Sequence, residues 1–384
     1  MEELIKNKLL TLRREIHKFP DPSGFESATA KRIAKFLEPY HPDKIIHGLG
    51  GCGLAAVFKG KRAGATIMFR AELDALPIRE KNDFEHKSKS GNISHKCGHD
   101  GHIAILSGLG ALLNKRQPER GSVVLLFQPA EETGEGARKV INDEKFKEIK
   151  PDYVFALHNL PGFSKNHIVV RRGVFTAASK GMVIKLKGRT AHAAEPEKGI
   201  NPALAISKII PLLTNLPKKY ALVKEQCMVT IVYAELGEKA LGTSPGDAEI
   251  IATLRALNSD DMQILTEEAE TIVKSAAVKE QLKFDISYTE KFPATINDQE
   301  CIEAIEKAAV KNGLTIKTPE QPLSWSEDFA HFTEHFKGAL FGLGAGKDHP
   351  GLHDPYYDFP DEIIEAGVSL FSSVLYSITE SKPG

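Results

Sequence analysis

The sequence comprises 384 residues with a formal net charge of −1, which argues against a general affinity for nucleic acids or anionic membranes. No apolar stretch is long enough to span a bilayer. With 41% hydrophobic and 26% charged residues, the composition is typical of a soluble globular protein, and the length favours two domains.

The chain begins with a charged amphipathic pattern, MEELIKNKLLTLRREIHKF, which predicts a helix. The pattern lacks the apolar centre of a signal peptide, so we expect a cytoplasmic location. Cysteines occur at positions 52, 97, 227 and 301, and this scatter argues against a disulfide framework. Cys97 lies among histidines and needs a separate explanation.

The first half of the chain and its C-terminal end alternate between predicted strands and helices. Buried strands are expected at 65–73, 122–130, 153–160 and 338–346, and helices at 101–116 and 361–380. This alternation predicts an α/β fold with a mostly parallel central sheet that is covered by helices on both faces.

The middle of the chain follows a different pattern. Strands are expected at 179–188, 226–236, 247–257 and 283–290, a helix at 201–216 that Pro211 kinks or interrupts, and a helix at 259–282 with Ser259 as its N-cap. The order β-α-β-β-α-β is typical of a ferredoxin-like sandwich. We therefore expect a domain at 176–290, inserted into a discontinuous domain formed by 1–175 and 291–384.

The segment SHKCGHDGHIAIL places Cys97 two residues before His99. This spacing cannot put both side chains on one face of a helix, but a loop through Gly98 and Gly101 can point both inward. Thiolate and imidazole are preferred donors for zinc and similar divalent ions. The alternative is a free cysteine beside solvated histidines.

Other reactive side chains follow predicted strands. Glu131 and Glu132 come directly after one strand, His158 ends another, and His353 lies in a loop after the last. Parallel sheets place ligand sites outside the carboxyl ends of their strands, so these side chains are candidates for the same site as Cys97. The alternatives are a solvated acidic loop and structural or solvated histidines.

Three further residues are candidates with simpler alternatives. Glu72 and Asp74 face the same way after a strand and could orient a metal ligand, or be ordinary acids of a turn. His192 lies in a loop of the inserted domain, where it is either a surface histidine or a residue that reaches a bound substrate.

Eight motifs resemble one known family when taken together. They are LRREIHKFPDPSGFE, AELDALP, HKCGHDGH, PAEETGEGA, LHNLPG, GRTAHAAEPEKGINP, SEDFAHF and LHDPYYDFPDE. In this order they resemble the metal-dependent amidohydrolases of the aminoacylase/carboxypeptidase type, a zinc peptidase family. The nearest subgroup contains hippurate hydrolase, auxin-amino-acid conjugate hydrolase, N-acetyl-diaminopimelate deacetylase and aminobenzoyl-glutamate hydrolase, and the resemblance runs along almost the whole chain.

The resemblance implies a di-metal hydrolase domain with an inserted lid and dimerisation domain. It implies two divalent ions, with zinc as the first candidate and manganese, nickel or cobalt as the others, and the ligands Cys97, which bridges, His99, Glu132, His158 and His353. Glu131 matches the general base, His192 the lid histidine that stabilises the oxyanion, and Arg255 the lid arginine that meets a substrate carboxylate. The implied substrate is a small N-acyl amino acid, and the implied assembly is a homodimer formed through the lid.

Three positions depart from the subgroup pattern. Glu72 replaces an aspartate, Thr243 an asparagine that lines the substrate site, and Trp325 a small residue. These departures leave open a protein of the same fold that binds a metal or ligand without catalysis. Glu131 favours a hydrolase, because a pure binder needs no general base. No dedicated motif supports an acyltransferase or a scaffold.

Overall fold

The computed structural model describes residues 1–219 and 227–379, and the chain divides into two compact units. The first unit comprises Met1–Phe175, Thr295–Gln321 and Asp328–Gly384, and the second comprises Thr176–Ala294 and Pro322–Glu327. The expected inserted domain ends at 290, whereas the second unit continues further because its last long strand runs to Phe292.

The described residues form helices in both units. They are α1 (Glu3–Lys18), α2 (Ser27–Leu37), α3 (His99–Leu113), α4 (Gly136–Ile141), α5 (Ala203–Lys219), α6 (Ser259–Lys279), α7 (Gln299–Lys311), α8 (Ala330–Thr333) and α9 (Ile364–Thr379). In the described residues, no helix is both long enough and apolar enough to cross a bilayer.

The strands follow the same order. They are β1 (Lys44–Leu49), β2 (Gly53–Lys59), β3 (Arg62–Glu72), β4 (Arg120–Gln128), β5 (Tyr153–Pro161), β6 (Ile168–Val169), β7 (Gly173–Thr176), β8 (Ala178–Lys187), β9 (Ala191–His192), β10 (Cys227–Leu236), β11 (Thr243–Ser244), β12 (Asp247–Ala256), β13 (Lys283–Phe292), β14 (Thr295–Asn297), β15 (Ile316–Lys317) and β16 (Lys337–Gly346).

The first unit is built around a sheet with the strand order β1-β2-β4-β3-β5-β16-β6-β15. Its four central strands, β4, β3, β5 and β16, run parallel to one another. Antiparallel strands β1 and β2 extend one side, and β6 pairs antiparallel with β16 on the other. The predicted α/β fold with a mostly parallel central sheet is confirmed, and the carboxyl ends of the four central strands lie at one edge.

Helix α3 packs closely against α9 in the core of the first unit. The apolar residues Ile103, Leu106 and Leu109 are fully buried, which anchors the helix that carries His99 at its first position. The approach of the two helices is close enough that a Cβ atom added to Gly108 would lie 2.6 Å from the Val368 side chain. Helix α3 is therefore closely packed within the core of the first unit.

The second unit contains a four-stranded antiparallel sheet with the order β10-β12-β8-β13. Helices α5 and α6 complete the predicted order β-α-β-β-α-β. Along β12, every second residue from Ala248 to Ala256 is buried, so the strand packs one face against the core of the unit.

The predicted N-cap of α6 is wrong, and of the two effects expected of Pro211, a kink or an interruption of the helix, the interruption does not occur. Helix α6 begins at Ser259, but its N-cap is Asn258, whose side chain accepts a hydrogen bond of 2.8 Å from the backbone N–H of Asp261. Helix α5 is not interrupted at Pro211 but runs on to Lys219. The expected strand start at position 226 and the expected helix end at position 380 lie outside the described residues.

Candidate metal centre

The candidate metal ligands of the first unit converge at the edge where the central strands end. Cys97 and His99 lie at the start of α3, and Glu132 follows β4. His158 lies near the end of β5, and His353 lies in the loop after β16. The structure thus brings together five side chains that are up to 256 residues apart in the sequence.

Cys97, His99 and His158 form a buried group whose ligand atoms all lie within 4.8 Å of one another. The Sγ of Cys97 lies 3.5 Å from the Nε2 of His158. The Nδ1 of His99 donates to the backbone carbonyl of Asp74 at 2.9 Å, and the Nδ1 of His158 donates to the carbonyl of Asn159 at 2.9 Å. Both rings therefore direct Nε2 lone pairs into the group, as metal-ligating histidines do.

Glu131 and Glu132 lie beside the same histidine but differ in their other neighbours. Each carboxylate approaches the Nε2 of His99, Glu131 at 3.9 Å and Glu132 at 3.8 Å. Glu132 also lies 3.8 Å from the Nε2 of His353 and shares a second group of ligand atoms with Cys97 and His353. Glu131 accepts a hydrogen bond of 3.4 Å from the backbone N–H of Asp328.

The backbone takes left-handed conformations where the ligands are presented. Gly98, between Cys97 and His99, has φ 89°, and a Cβ atom there would lie 2.6 Å from the side-chain oxygen of Asn159. His353 itself has φ 66°. A non-glycine residue held in this region costs of order 1–3 kcal/mol, and such strain clusters at functional sites.

Asp74 supports the ligands from behind. Its side chain accepts from the hydroxyl of Ser23 at 2.7 Å and from the backbone N–H of Glu132 at 2.9 Å. Burial raises the pKa of Asp74, but the adjacent His99 ring and the hydrogen bonds from Ser23 and Glu132 outweigh this and lower it. Asp74 is therefore an ionised carboxylate that orients both His99 and Glu132.

Glu72 lies beside His99 and His102, and the ligand atoms of these three residues are within 4.8 Å of one another. Its carboxylate pairs with Arg70 and lies 2.6 Å from the Nδ1 of His102, whose Nε2 accepts from the backbone N–H of Asn159 at 3.1 Å. The glutamate at this position is therefore part of a fully buried ion pair.

The donor set fits a divalent cation. The Nε2 of His99 is buried and has no hydrogen-bond partner among the described residues. Burial lowers the pKa of His99, but the hydrogen bond with Asp74 and the charges of Glu72 and Glu132 outweigh this and raise it to about 10. The surrounding carboxylates therefore stabilise a positive charge at this nitrogen, and either a proton or a metal ion can supply that charge. For His353, burial and the nearby charge of His99 lower the pKa.

His192 and Arg255 belong to the second unit. His192 is exposed in β9, where it pairs with Thr243 of β11, and its Nδ1 accepts from the backbone N–H of Ala194 at 3.1 Å. The neutral ring therefore carries its proton on Nε2. Arg255 donates to the carbonyl of Ser324 at 3.1 Å and lines a cavity of 420 Å³.

Arg13 and His17 also lie near the candidate ligands, although they were not among the residues expected there. Both are fully buried and contact Asp100, the residue after His99. One feature of the sequence could have revealed them. The two residues are four positions apart, on the same face of α1 as Leu9 and Ile16, and charged side chains at such core positions require buried partners of opposite charge.

The model of peptidase family M20/M25/M40 matches residues 68–377. The chain belongs to this family. As a member it is an enzyme, a metal-dependent hydrolase of amide bonds. The family membership that the eight sequence motifs indicate is therefore confirmed.

Two relatives and one solved structure show how far the similarity extends. N-acetyl-L-cysteine deacetylase of Bacillus subtilis is 31% identical over 98% of this chain and 91% of its own length. Hippurate hydrolase of Campylobacter jejuni is 30% identical over 94% of each chain. A dinuclear metal-binding peptidase of the M20 family from Bacillus subtilis superimposes with a TM-score of 0.84 at 26% identity and covers 100% of both chains.

Proposed function

We propose that the protein hydrolyses the amide bond of an N-acyl amino acid and releases a carboxylic acid and a free amino acid. The observation that carries the proposal is the convergence of Cys97, His99, Glu132, His158 and His353 with a further acid, Glu131, beside them. The names of the relatives, which include a deacetylase and a hippurate hydrolase, support an N-acyl amino acid as the substrate.

The five ligands would hold two divalent ions, with Cys97 common to both groups of ligand atoms. Zinc is our first candidate, because thiolate and imidazole are its preferred donors, and manganese, nickel and cobalt follow. When bound, such ions lower the pKa of water toward neutrality and polarise a carbonyl oxygen. The thiol of Cys97 gives up its proton on ligation.

Glu131 is proposed as the general base. It takes a proton from the attacking water and passes it to the leaving amine. The contacts of Glu132 support this division of roles, because Glu132 shares one group of ligand atoms with Cys97 and His353 and another with His99 and Glu131. The backbone N–H of Asp328 holds one oxygen of Glu131 and leaves the other on the side of His99.

His192 is proposed as the donor that stabilises the oxyanion of the tetrahedral intermediate. The hydrogen bond from Ala194 fixes the proton on Nε2, and the side chain is exposed, so the ring offers an N–H donor. The residue acts from its own chain after the lid closes or from the second chain of a dimer.

Arg255 is proposed to bind the substrate carboxylate. Among the described residues it forms no ion pair, although one of its nitrogens donates to Ser324 and Ser326. Burial lowers the pKa of Arg255, yet guanidinium remains charged in proteins. A half-buried guanidinium without a carboxylate partner suits a ligand that brings its own.

We further propose a homodimer formed through the inserted domain, and a cytoplasmic location. Strand β10 is at the edge of its sheet and exposes Val232 at 58%, Tyr233 at 42% and Leu236 at 40%. An apolar sheet edge of this kind favours pairing with another chain.

A substrate screen tests the proposed function. The metal-loaded protein is offered N-acetyl, N-benzoyl and longer N-acyl amino acids, and the free amino acid is measured. We expect hydrolysis of at least one class, with loss of activity in Glu131→Gln. Absence of hydrolysis throughout the series in protein that holds two ions would favour a binding protein of the same fold.

A further inference from the structure

Helix α1 carries two cationic side chains on its buried face. Arg13 and His17 are 0% exposed, whereas the neighbouring Arg14 is half exposed. They belong to the motif LRREIHKFP, to which the proposed reaction gives no role. Charged side chains are almost never fully buried unless they are paired, so their partners indicate what the helix holds.

The partners are carboxylates beside the metal ligands. One nitrogen of Arg13 lies 3.1 Å from Asp100 and 2.8 Å from Asp358. The Nδ1 of His17 lies 2.9 Å from the same oxygen of Asp100, and its Nε2 lies 3.0 Å from Glu80. Arg13 therefore joins two carboxylates that are 258 residues apart in the sequence.

Asp100 and Asp358 mark two separate ligand segments. Asp100 directly follows His99, and Asp358 ends the loop that begins with His353. Lys96 makes a second connection, because its side chain binds the carbonyl of Tyr357 at 2.7 Å and its own carbonyl accepts from the backbone N–H of His353 at 2.8 Å. The two segments are thus joined through the side chains of Arg13 and Lys96, both of which are fully buried.

The charges in this network explain why it is not a further metal site. His17, Asp100 and Asp358 have ligand atoms within 4.8 Å of one another, but the guanidinium of Arg13 lies between the two carboxylates. Burial lowers the pKa of His17, yet the hydrogen bond and charge of Asp100 raise it to about 9. Two buried cations therefore already neutralise these acids.

We propose that Arg13 and His17 are positioning residues for the metal centre, which fix the spacing between the Cys97–His99 segment and His353 through Asp100 and Asp358. The inference rests on the proposed ligand set. Partners behind metal ligands typically contribute about 10- to 100-fold in metal affinity. The ion held by His353 and Glu132 should depend most on this spacing, because His353 is an exposed residue on a loop.

The test measures the dissociation constants of both ions in the full chain. Metal-free protein is titrated with Co²⁺ against a chelator, and the thiolate absorption of Cys97 reports ligation. The first variant is Arg13→Lys, which keeps the charge but cannot span both carboxylates. The second is Asp358→Asn, which removes the negative charge that Arg13 binds on the loop of His353. Lys8→Gln is the matched control, because Lys8 is an exposed cation of the same helix.

We expect Arg13→Lys and Asp358→Asn to weaken binding of the ion held by His353 and Glu132 about 10- to 100-fold, and Lys8→Gln to leave the binding of both ions unchanged. A purely structural role would lower the melting temperature of the metal-free variants and leave both dissociation constants unchanged, which would overturn the inference. If Arg13→Lys does not fold, Asp358→Asn decides alone, because its side chain is a quarter exposed. Unmodified protein that binds no ion would overturn the proposed function and this inference together.

Discussion

Replacing Glu131 by glutamine should abolish most of the hydrolysis without removing the metal ions. Glutamine has nearly the same shape and keeps an oxygen that can accept from the backbone N–H of Asp328, so the loop should stay in place. A glutamine cannot take a proton from water. General acid–base catalysis typically contributes about 100- to 10,000-fold, which corresponds to about 3 to 5 kcal/mol in the activation free energy.

The adjacent substitution Glu132→Gln provides the matched comparison. Its carboxylate lies 3.8 Å from both His99 and His353 and contributes to two groups of ligand atoms. An amide there replaces one anionic oxygen with an NH₂ group, which cannot ligate a cation. We therefore expect Glu132→Gln to weaken metal binding by at least about 10-fold, the lower bound seen for residues that merely support ligands.

The assay combines metal analysis with the kcat for release of the free amino acid at saturating metal. Glu131→Gln should retain the metal content of the unmodified protein and lose kcat, whereas Glu132→Gln should lose metal at limiting concentrations. The assignment of base and ligand would be refuted if the two variants had the same metal content and the same rate.

The second unit gives two further predictions. His192→Ala should lower kcat by about 100- to 1000-fold with metal content unchanged, as the loss of one oxyanion donor does, and a variant as fast as the parent would leave His192 as a surface residue. Mixing this variant with Glu131→Gln should restore activity if His192 acts across a dimer and restore none if it acts within its own chain. Arg255→Ala should lower kcat/KM far more for an N-acyl amino acid than for its amide analogue, because the analogue has no carboxylate to pair with Arg255. Equal losses for the two substrates would show that Arg255 does not bind the substrate carboxylate.

The central sheet and the location of the candidate ligands could be predicted because strong local signals mark them. The apolar runs of β3, β4, β5 and β16 specify buried parallel strands, and the rule that ligands lie at carboxyl ends then places Glu132, His158 and His353 at one edge. The sequence indicates which ligand types are present, and the topology of the sheet brings them together.

The network behind the ligands could not be predicted in the same way. Arg13 contacts partners 87 and 345 residues away, and no local pattern encodes such distant pairs. The N-cap of α6 shows a different limit, because Asn258 and Ser259 are both good capping residues and only the backbone geometry distinguishes them. The segment 322–327 joins the second unit through backbone hydrogen bonds from Ala177 to the carbonyls of residues 323 and 325, which composition does not signal.

The most direct test of the account is a metal titration of the chelator-treated protein with hydrolysis of an N-acyl amino acid as the readout. Five converging ligands with Cys97 in both groups predict that activity is absent without metal and rises to a plateau at two equivalents of divalent ion per chain. Cys97→Ser should weaken both steps, because it removes the ligand that the two groups share. Activity that persists after metal removal, or a plateau below one equivalent that Cys97→Ser leaves unchanged, would contradict the di-metal mechanism.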